Sequence, residues 1–157
     1  MRLLAKYMIL AIKEARKNLK TADGGPFGAC IVKGGKVIAA SRNTVLKEDA
    51  TCHAEIKAIR LASKRLKHFD LSRCIIYSTT EPCPMCFSAI HWARLEAVIY
   101  GTNIADVKKL GFHELGISAR KMKTTGKSGV KIFPGFMRKE CLRLLADWNN
   151  IEEKRIY

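Results

Sequence analysis

The sequence predicts an α/β protein in which helices cover both faces of a mixed, about five-stranded β-sheet. Two runs of strand-forming residues flank Gly34-Gly35, which predicts a β-hairpin. Two later apolar runs are connected through a helical segment, and strands connected in that way lie parallel. One sheet would then contain both antiparallel and parallel strands, and amphipathic helices precede and separate them. This combination indicates a three-layer α/β/α sandwich.

The first predicted elements are a helix, the hairpin and a second helix. Residues 2–20 carry apolar side chains at three- and four-residue spacing with basic residues between them, which is typical of an amphipathic helix. After a glycine-rich loop, residues 27–33 and 36–41 are the strands of the hairpin. Residues 53–66 again have helical spacing, with one apolar stripe and a basic outer face.

The later elements alternate between strand and helix. Residues 73–79 and 97–101 are short apolar runs that predict buried strands, and residues 85–93 between them have helical spacing. Beyond them we expect a short helix within residues 104–118, an edge strand at residues 130–133 and a helix over residues 138–148. Because no repeat or linker interrupts the chain, residues 1–157 are predicted to form one domain.

Six cysteines raise the question of disulfide bonds. Charged residues at positions 6, 13 and 14 interrupt the apolar start that an export signal needs, and no later apolar run reaches the roughly 18 residues of a membrane span. We therefore expect a cytoplasmic protein without a membrane partner, in which thiols stay reduced. The cysteines are then free thiols or metal ligands, and Cys30, Cys74 and Cys141 lie in segments that are predicted to be buried.

The net charge of +15 is the one extreme value in the composition. A strongly basic domain favours nucleic acid or an anionic substrate as a partner. A lysine-rich solvated surface is the alternative, and the basic residues are scattered along the chain rather than confined to one run. The charge alone therefore leaves both interpretations open.

The strongest chemical signal is the pair Cys83 and Cys86 in the segment Glu81-Pro-Cys-Pro-Met-Cys86. If Pro84 begins a helix, the two thiols lie on one face of its first turn, where the helix N-terminus stabilises thiolates. Two thiolates favour zinc over magnesium or calcium. An isolated C-x-x-C also fits a redox-active dithiol or two buried cysteines, so a further ligand has to distinguish these alternatives.

His53 is the candidate third ligand, and Glu55 follows it closely. Two thiolates and one imidazole leave the fourth position of a tetrahedral zinc open for water. Glu55 can share this site if His53 lies at the irregular entry to its helix, and it can then move protons from the water to a substrate. Taken alone, His53 could instead be a helix cap or a surface residue. Taken alone, Glu55 could be a solvated acid that the helix dipole favours in the first turn.

Together, His53-Ala54-Glu55 and Pro82-Cys83-Pro84-Met85-Cys86 resemble the H-x-E…P-C-x-x-C signature of the zinc-dependent nucleoside and nucleobase deaminases. The resemblance implies the cytidine-deaminase-like α/β/α fold and one Zn²⁺ per subunit. It implies His53, Cys83 and Cys86 as the metal ligands. It also implies Glu55 as the catalytic residue, which transfers protons while water replaces an amine.

Within this superfamily the chain looks most like the bacterial guanine deaminases, which it matches at residues 26–29, 81–86, 92–94, 111–114 and 157. These proteins convert guanine to xanthine and ammonia in purine metabolism. By this resemblance aromatic residues pack on the purine, an amide and a backbone group bind its carbonyl edge, an acid binds its ring N–H or amino group, and a tyrosine closes the pocket. The aromatic residues are Phe27 and Trp92. Asn43 provides the amide and Ala54 the backbone group, Glu114 is the acid, and Tyr157 is the tyrosine.

The resemblance also implies a homodimer that exchanges its C-terminal segment, about residues 137–157, so that a tyrosine of the partner subunit closes each pocket. Two departures concern the substrate. Glu114 stands where the family usually has aspartate, and the loop between Asn43 and His53 is one residue shorter than in relatives.

Two alternative functions remain at this level. The tRNA-specific adenosine deaminases share the zinc ligands and the glutamate and use basic surface to hold an anticodon loop. Against them, the helix after Cys86 continues Phe87-Ser-Ala-Ile-His-Trp92, where those enzymes usually have A-G-A. The other alternative is a catalytically silent zinc protein that binds RNA or acts as a scaffold.

Overall fold

The computed structural model of the protein describes residues 2–157. After an N-terminal helix and a hairpin, helices and strands follow one another along the chain. In order they are α1 (Ala5–Arg16) with a 3₁₀ turn (Lys17–Leu19), β1 (Gly28–Lys33), β2 (Lys36–Arg42), α2 (Ala54–Leu66), β3 (Cys74–Thr80), α3 (Pro84–Trp92), β4 (Ala97–Thr102), α4 (Ile104–Lys108), α5 (Ala119–Thr125), β5 (Lys131–Phe133) and α6 (Arg138–Asn149).

The strands form one mixed sheet in the order β2-β1-β3-β4-β5. β1 pairs antiparallel with β2 and β3, whereas β3, β4 and β5 run parallel. The hairpin turn needs positive φ angles, which Gly34 and Gly35 adopt at 54° and 78°. The predicted hairpin, parallel pair and edge strand are confirmed.

Helices cover both faces of this sheet. α1 and α6 pack on one face, around a core that contains Met8 and Tyr77, and α2, α3 and α5 form the layer on the other face, around Ile76 and Phe87. Because side chains alternate along a strand, Ser78 shares the face of Ile76 and lies beneath α2. Ser78 is therefore directed at the start of α2. The predicted three-layer α/β/α sandwich is confirmed.

The structure corrects some predicted boundaries. α1 begins at Ala5 rather than at residue 2, since Leu4 is extended and its N–H donates to the hydroxyl of Tyr77 at 3.3 Å. Within residues 104–118 only α4 is helical, and residues 109–118 form a loop. α5 was not predicted, because its sequence has only Ala119 and Met122 as apolar residues. Its start depends instead on Ser118, whose hydroxyl accepts the N–H of Lys121 at 3.1 Å.

All six cysteines in the described chain are free, and Cys30, Cys74 and Cys141 are buried, as predicted. Across residues 2–157, no helix has both the length and the apolar character needed to cross a membrane.

Candidate active site

The N-terminal end of α2 holds His53 and Glu55. His53 precedes the helix with an extended backbone (φ −65°, ψ 153°), and Glu55 lies in the first turn with 6% of its surface exposed. Because His53 is outside the regular helix, both side chains reach one cavity although they are only two positions apart. The shared site that the sequence predicts requires His53 to lie at an irregular start of its helix, and the structure confirms this start.

The N-terminal end of α3 holds the two cysteines. Cys83 precedes the helix with an extended backbone (φ −62°, ψ 168°), Pro84 is the first helical residue, and the fully buried Cys86 follows in the first turn. The carbonyl of Cys83 accepts the N–H of Phe87 at 2.8 Å, which fixes the first turn. The predicted start of the helix at Pro84 is confirmed.

The ligand atoms of His53, Cys83 and Cys86 all lie within 4.8 Å of one another. The Cys83 Sγ and His53 Nδ1 atoms are 3.7 Å apart. A tetrahedral zinc with bonds of about 2.1 Å to nitrogen and 2.3 Å to sulfur separates two such atoms by about 3.6 Å. The three residues therefore fit a zinc ion, and three protein ligands leave one position for water, as in catalytic zinc sites.

The two thiols of this group titrate very differently. A hydrogen bond from the Cys86 thiol lowers the pKa of Cys83 to about 4, and a bond to His53 adds to the effect. The same hydrogen bond and burial raise the pKa of Cys86. Burial by itself would lower the pKa of His53, but the bond to Cys83 and the charge of Glu55 raise it overall. A thiolate at Cys83 is thus available to a cation at neutral pH.

Glu55 is held beside these ligands by a strand residue. The Ser78 hydroxyl donates to its Oε1 atom at 2.8 Å, and the Cys86 Sγ atom lies 3.5 Å from Oε2. Burial raises the pKa of Glu55. A fixed carboxyl group with a raised pKa can both accept and return a proton, as general acid–base catalysis requires.

A cavity of about 410 Å³ opens onto His53, Glu55 and Cys83. Aromatic rings form another part of its wall: the Phe27 and Phe112 ring centres are 5.1 Å apart, and those of Phe112 and Tyr157 are 5.4 Å apart. Flat apolar walls next to polar groups suit a planar ring that carries hydrogen-bonding edges.

A second carboxyl group, Glu114, enters the cavity from the loop of residues 109–118. It is partly buried, and this burial, followed by the charge of Cys83, raises its pKa. Glu114 is therefore close enough to the metal-binding residues for their charge to affect its pKa. It can also contact a small molecule that occupies the cavity.

Tyr157 closes the cavity in the described chain. Its hydroxyl accepts the N–H of Gly25 at 3.1 Å, and its backbone carbonyl accepts the N–H of His113 at 3.1 Å. Burial raises the pKa of its hydroxyl, which stays protonated. The last residue thus joins the loop before β1 to the loop that carries Glu114, and in this single chain residues 150–157 return to their own cavity.

Asn43 and Ala54 are fully buried next to the site, but neither is among the cavity-lining residues. The Asn43 Oδ1 atom accepts the N–H of Val45 at 3.1 Å. Within residues 2–157, its buried Nδ2 group has no acceptor. Burial raises the pKa of the nearby Tyr157 hydroxyl and this amide acts to lower it, although the amide makes no hydrogen bond to that hydroxyl in the described chain.

The structure does not bring Trp92 to the cavity. Trp92 is the last residue of α3, so about 13 Å of helix separates it from Cys83 and about 9 Å from Cys86. Its side chain is 78% exposed and lines a separate small cavity with Met122 and Ser128. Of the six predicted substrate contacts, Phe27, Glu114 and Tyr157 line the main cavity.

Sequence reasoning missed several residues that shape the site. Ser78 is one of them, and the strand sequence does not single it out, because Thr79 and Thr80 follow it with hydroxyl groups of their own. Val45, Ala50 and Thr80 also line the cavity, and no motif marks them. The positions of Val45 and Ala50 depend on how the loop of residues 43–53 folds, and that of Thr80 on where β3 ends, neither of which spacing along the chain reveals.

The comparisons with known proteins agree with this geometry. Residues 1–102 match the family model of the cytidine and deoxycytidylate deaminase zinc-binding region. The chain belongs to this family. It is 38% identical to guanine deaminase from Bacillus subtilis over 148 residues, which cover 94% of each protein. It is 35% identical to tRNA-specific adenosine deaminase from Agrobacterium fabrum over 151 residues, which cover 96% of this chain and 95% of the relative.

Structural similarity extends over the same range. A solved structure of guanine deaminase from Nitrosomonas europaea superimposes with a TM-score of 0.86 at 30% identity, covering 96% of this chain and 87% of the other. The protein is thus a zinc-dependent hydrolytic deaminase with a cytidine-deaminase-like fold. The alternative of a catalytically silent scaffold is set aside.

Proposed function

We propose that the protein is a guanine deaminase, which hydrolyses guanine to xanthine and ammonia in cytoplasmic purine metabolism. The observation that carries this proposal is that the Glu114 carboxyl group shares one cavity with Glu55 and with two of the metal ligands, His53 and Cys83. The similarity to guanine deaminases over nearly the whole chain supports the same substrate.

Guanine suits an acidic cavity wall because of its donors. The edge that carries its 2-amino group presents a ring N–H beside that amine, and a carboxylate accepts from both. Adenine has only its amine as a donor on the reacting edge, between ring nitrogens that accept. Phe27 and Tyr157 would pack on the ring of guanine. The Asn43 side chain, which is buried behind the cavity wall, would have to turn toward the base for its Nδ2 donor to bind the carbonyl oxygen.

The catalytic step follows from the positions of the ligands and Glu55. His53, Cys83 and Cys86 would hold Zn²⁺, which would supply Lewis-acid activation of a water. Glu55 accepts one proton of this water and gives it to a ring nitrogen as the water oxygen bonds to the amine-bearing carbon. It then transfers the second proton from the new hydroxyl group to the amine, so that the C–N bond breaks, ammonia leaves and a carbonyl forms. Ser78 keeps the carboxylate oriented throughout. Two thiolate ligands neutralise the charge of a divalent ion, so the reaction depends strongly on this base.

Deamination of adenosine in tRNA is the second candidate. The net charge of +15 favours it, because a basic surface attracts the phosphate backbone. A relative of this specificity also covers most of the chain. The carboxyl group of Glu114 favours free guanine instead, because guanine offers it both a ring N–H and an amine as donors.

Ammonia release tests the substrate directly. Purified protein is assayed with guanine, guanosine, adenine, cytosine, cytidine and a tRNA anticodon stem-loop at equal concentrations. We expect release from guanine and none above background from the stem-loop. Release from the stem-loop alone, with a loss at raised salt, would replace guanine by tRNA adenosine.

We also propose that the protein is a homodimer that exchanges residues 137–157. The catalytically impaired Glu55→Gln chain and a Tyr157→Ala chain are unfolded together, refolded together and assayed. An exchanged heterodimer contains one site with both wild-type residues, so mixing should restore up to about a quarter of the wild-type activity if the chains pair at random. A mixture no more active than the separate variants would contradict the exchange.

A further inference from the structure

We propose that Glu81 is a positioning residue that holds the Glu114 loop in place, because it binds the start of α4 and the start of α5, on either side of the loop, to the segment that carries the cysteines. Glu81 is 8% exposed and lies two residues before Cys83. This inference deepens the proposed function, since it concerns how the cavity binds its base.

Both oxygens of the Glu81 side chain accept backbone N–H groups. Oε2 accepts from Ile104, the first residue of α4, at 3.1 Å, and Oε1 accepts from Ala119, the first residue of α5, at 2.9 Å. These helix starts have N–H groups without helical partners, so a carboxylate is a suitable acceptor for them. One buried side chain thus binds two backbone positions that are 15 residues apart.

The two bound positions enclose the substrate-facing loop. Residues 109–118 lie between α4 and α5, and His113, Glu114 and Leu115 from this loop line the cavity. The middle of the loop makes one further backbone hydrogen bond, in which the N–H of His113 donates to the carbonyl of Tyr157 at 3.1 Å. Glu81 therefore fixes the helix start before the loop and the helix start after it, and the carbonyl of Tyr157 binds its middle.

A third group supports the carboxylate. The buried Tyr100 hydroxyl lies near Glu81, and burial together with the charge of Glu81 raises the pKa of Tyr100 to about 12. The phenol therefore remains a neutral neighbour of the carboxylate. The backbone N–H of Glu81 donates to the carbonyl of Thr102 at 2.8 Å, which holds the residue against the end of β4.

The first test is the Glu81→Gln variant, with Glu96→Gln as the matched control, since Glu96 is partly exposed and paired with Lys131. An amide can accept only one of the two N–H groups, so the loop should loosen and the KM for guanine should rise at least about tenfold. We expect kcat to change by less than about threefold and zinc content to stay at one ion per chain, because the metal ligands are not part of this tie. The control should match the wild type.

A double-mutant cycle separates positioning from general stability. If Glu81 acts through Glu114, the KM of Glu81→Gln combined with Glu114→Gln should be close to that of Glu114→Gln alone. Additive effects on KM, an unchanged KM in Glu81→Gln, or a loss of zinc would overturn the proposal.

Hydrogen exchange provides a measurement that needs no substrate. Peptides from residues 109–118 should exchange at least about tenfold faster in Glu81→Gln, whereas peptides from α2 should not change. Ala119→Pro removes one of the two N–H donors at a position where helices accept proline, and it should produce the same pattern. Unchanged exchange in residues 109–118 in both variants would contradict the tie. A wild type inactive on guanine would overturn the proposed substrate but leave this exchange test valid.

Discussion

Two regions of the active site are built in different ways. The zinc-binding region, residues 53–55 and 83–86, consists of two helix starts on a buried sheet, and its three ligand atoms lie within 4.8 Å of one another. The closing region, residues 109–118 and 150–157, consists of loops joined by single hydrogen bonds, such as the 3.1 Å bond between His113 and Tyr157. The first is held by regular secondary structure and the second by a few long-range contacts.

This difference suggests a division of roles. Catalytic groups need fixed geometry, which helices and strands provide, whereas loops on such a scaffold can vary in order to select ligands. We therefore expect changes in the zinc-binding region to lower kcat and changes in the closing region to raise KM. The predictions below test this division, beginning with the largest effect.

Removing a metal ligand should abolish activity. In Cys86→Ala we expect the zinc content to fall from about one ion per chain to less than a tenth, and ammonia release to fall to background, because two ligands bind zinc far more weakly than three. Elemental analysis and an ammonia assay on the same sample check this. Cys74→Ala is the matched control, since Cys74 is equally buried but lies in β3 among apolar residues. Full zinc content in Cys86→Ala would contradict the ligand assignment.

Changing Glu114 should affect binding more than catalysis. Glu114→Gln loses charge-assisted hydrogen bonds to the base, so we expect KM for guanine to rise by about ten- to a hundredfold with kcat within about threefold. Steady-state kinetics measure both values. Glu114→Asp retains the charge and should stay within about fivefold of the wild-type KM. A large fall in kcat with an unchanged KM would assign Glu114 to the chemical step and break the division of roles.

The smallest expected effect concerns an ion pair between α4 and α6, the two helices that precede the two parts of the closing region. Arg138 at the start of α6 donates to both carboxylate oxygens of Asp106 in α4, at 2.7 and 2.9 Å, and this lowers the pKa of Asp106. A lowered pKa in the folded state means that the pair stabilises the protein above the ordinary pKa of 3.8 and ceases to do so as the pH falls through the lower folded value.

Asp106→Asn should therefore be less stable than the wild type by about 1 kcal/mol at pH 7, and the difference should disappear on acidification. Denaturant unfolding of both proteins between pH 7 and pH 2, a range that extends well below the ordinary pKa of 3.8, measures this difference. A difference that stays constant over this range would show that Asp106 acts through packing or helix capping rather than through its charge.

The zinc-binding region could be predicted from the sequence almost completely. Pro84 marks the start of α3, and three-residue spacing brings Cys83 and Cys86 to the same turn. The chemistry of two thiolates and an imidazole then calls for a base such as Glu55. Local rules suffice here because every relevant residue belongs to the first turn of a helix.

The closing region could be predicted only in part. Resemblance identified Glu114 and Tyr157, both of which line the cavity, but it also suggested Trp92, which the length of α3 carries away from the cavity. The role of Ser78 depends on which face of β3 lies beneath α2, and that of Glu81 on where α4 and α5 begin. Such contacts join residues far apart in the chain, so spacing does not encode them.

The central claim is that Glu55 transfers protons beside a zinc ion in order to deaminate a purine. The most direct measurement is the turnover of guanine by Glu55→Gln at saturating substrate, together with its zinc content. The glutamine fills the same space but cannot accept the proton, so we expect kcat to fall by about a thousandfold or more, with one zinc ion still bound per chain and KM within about threefold. A kcat within tenfold of the wild type, with zinc fully bound, would contradict the account.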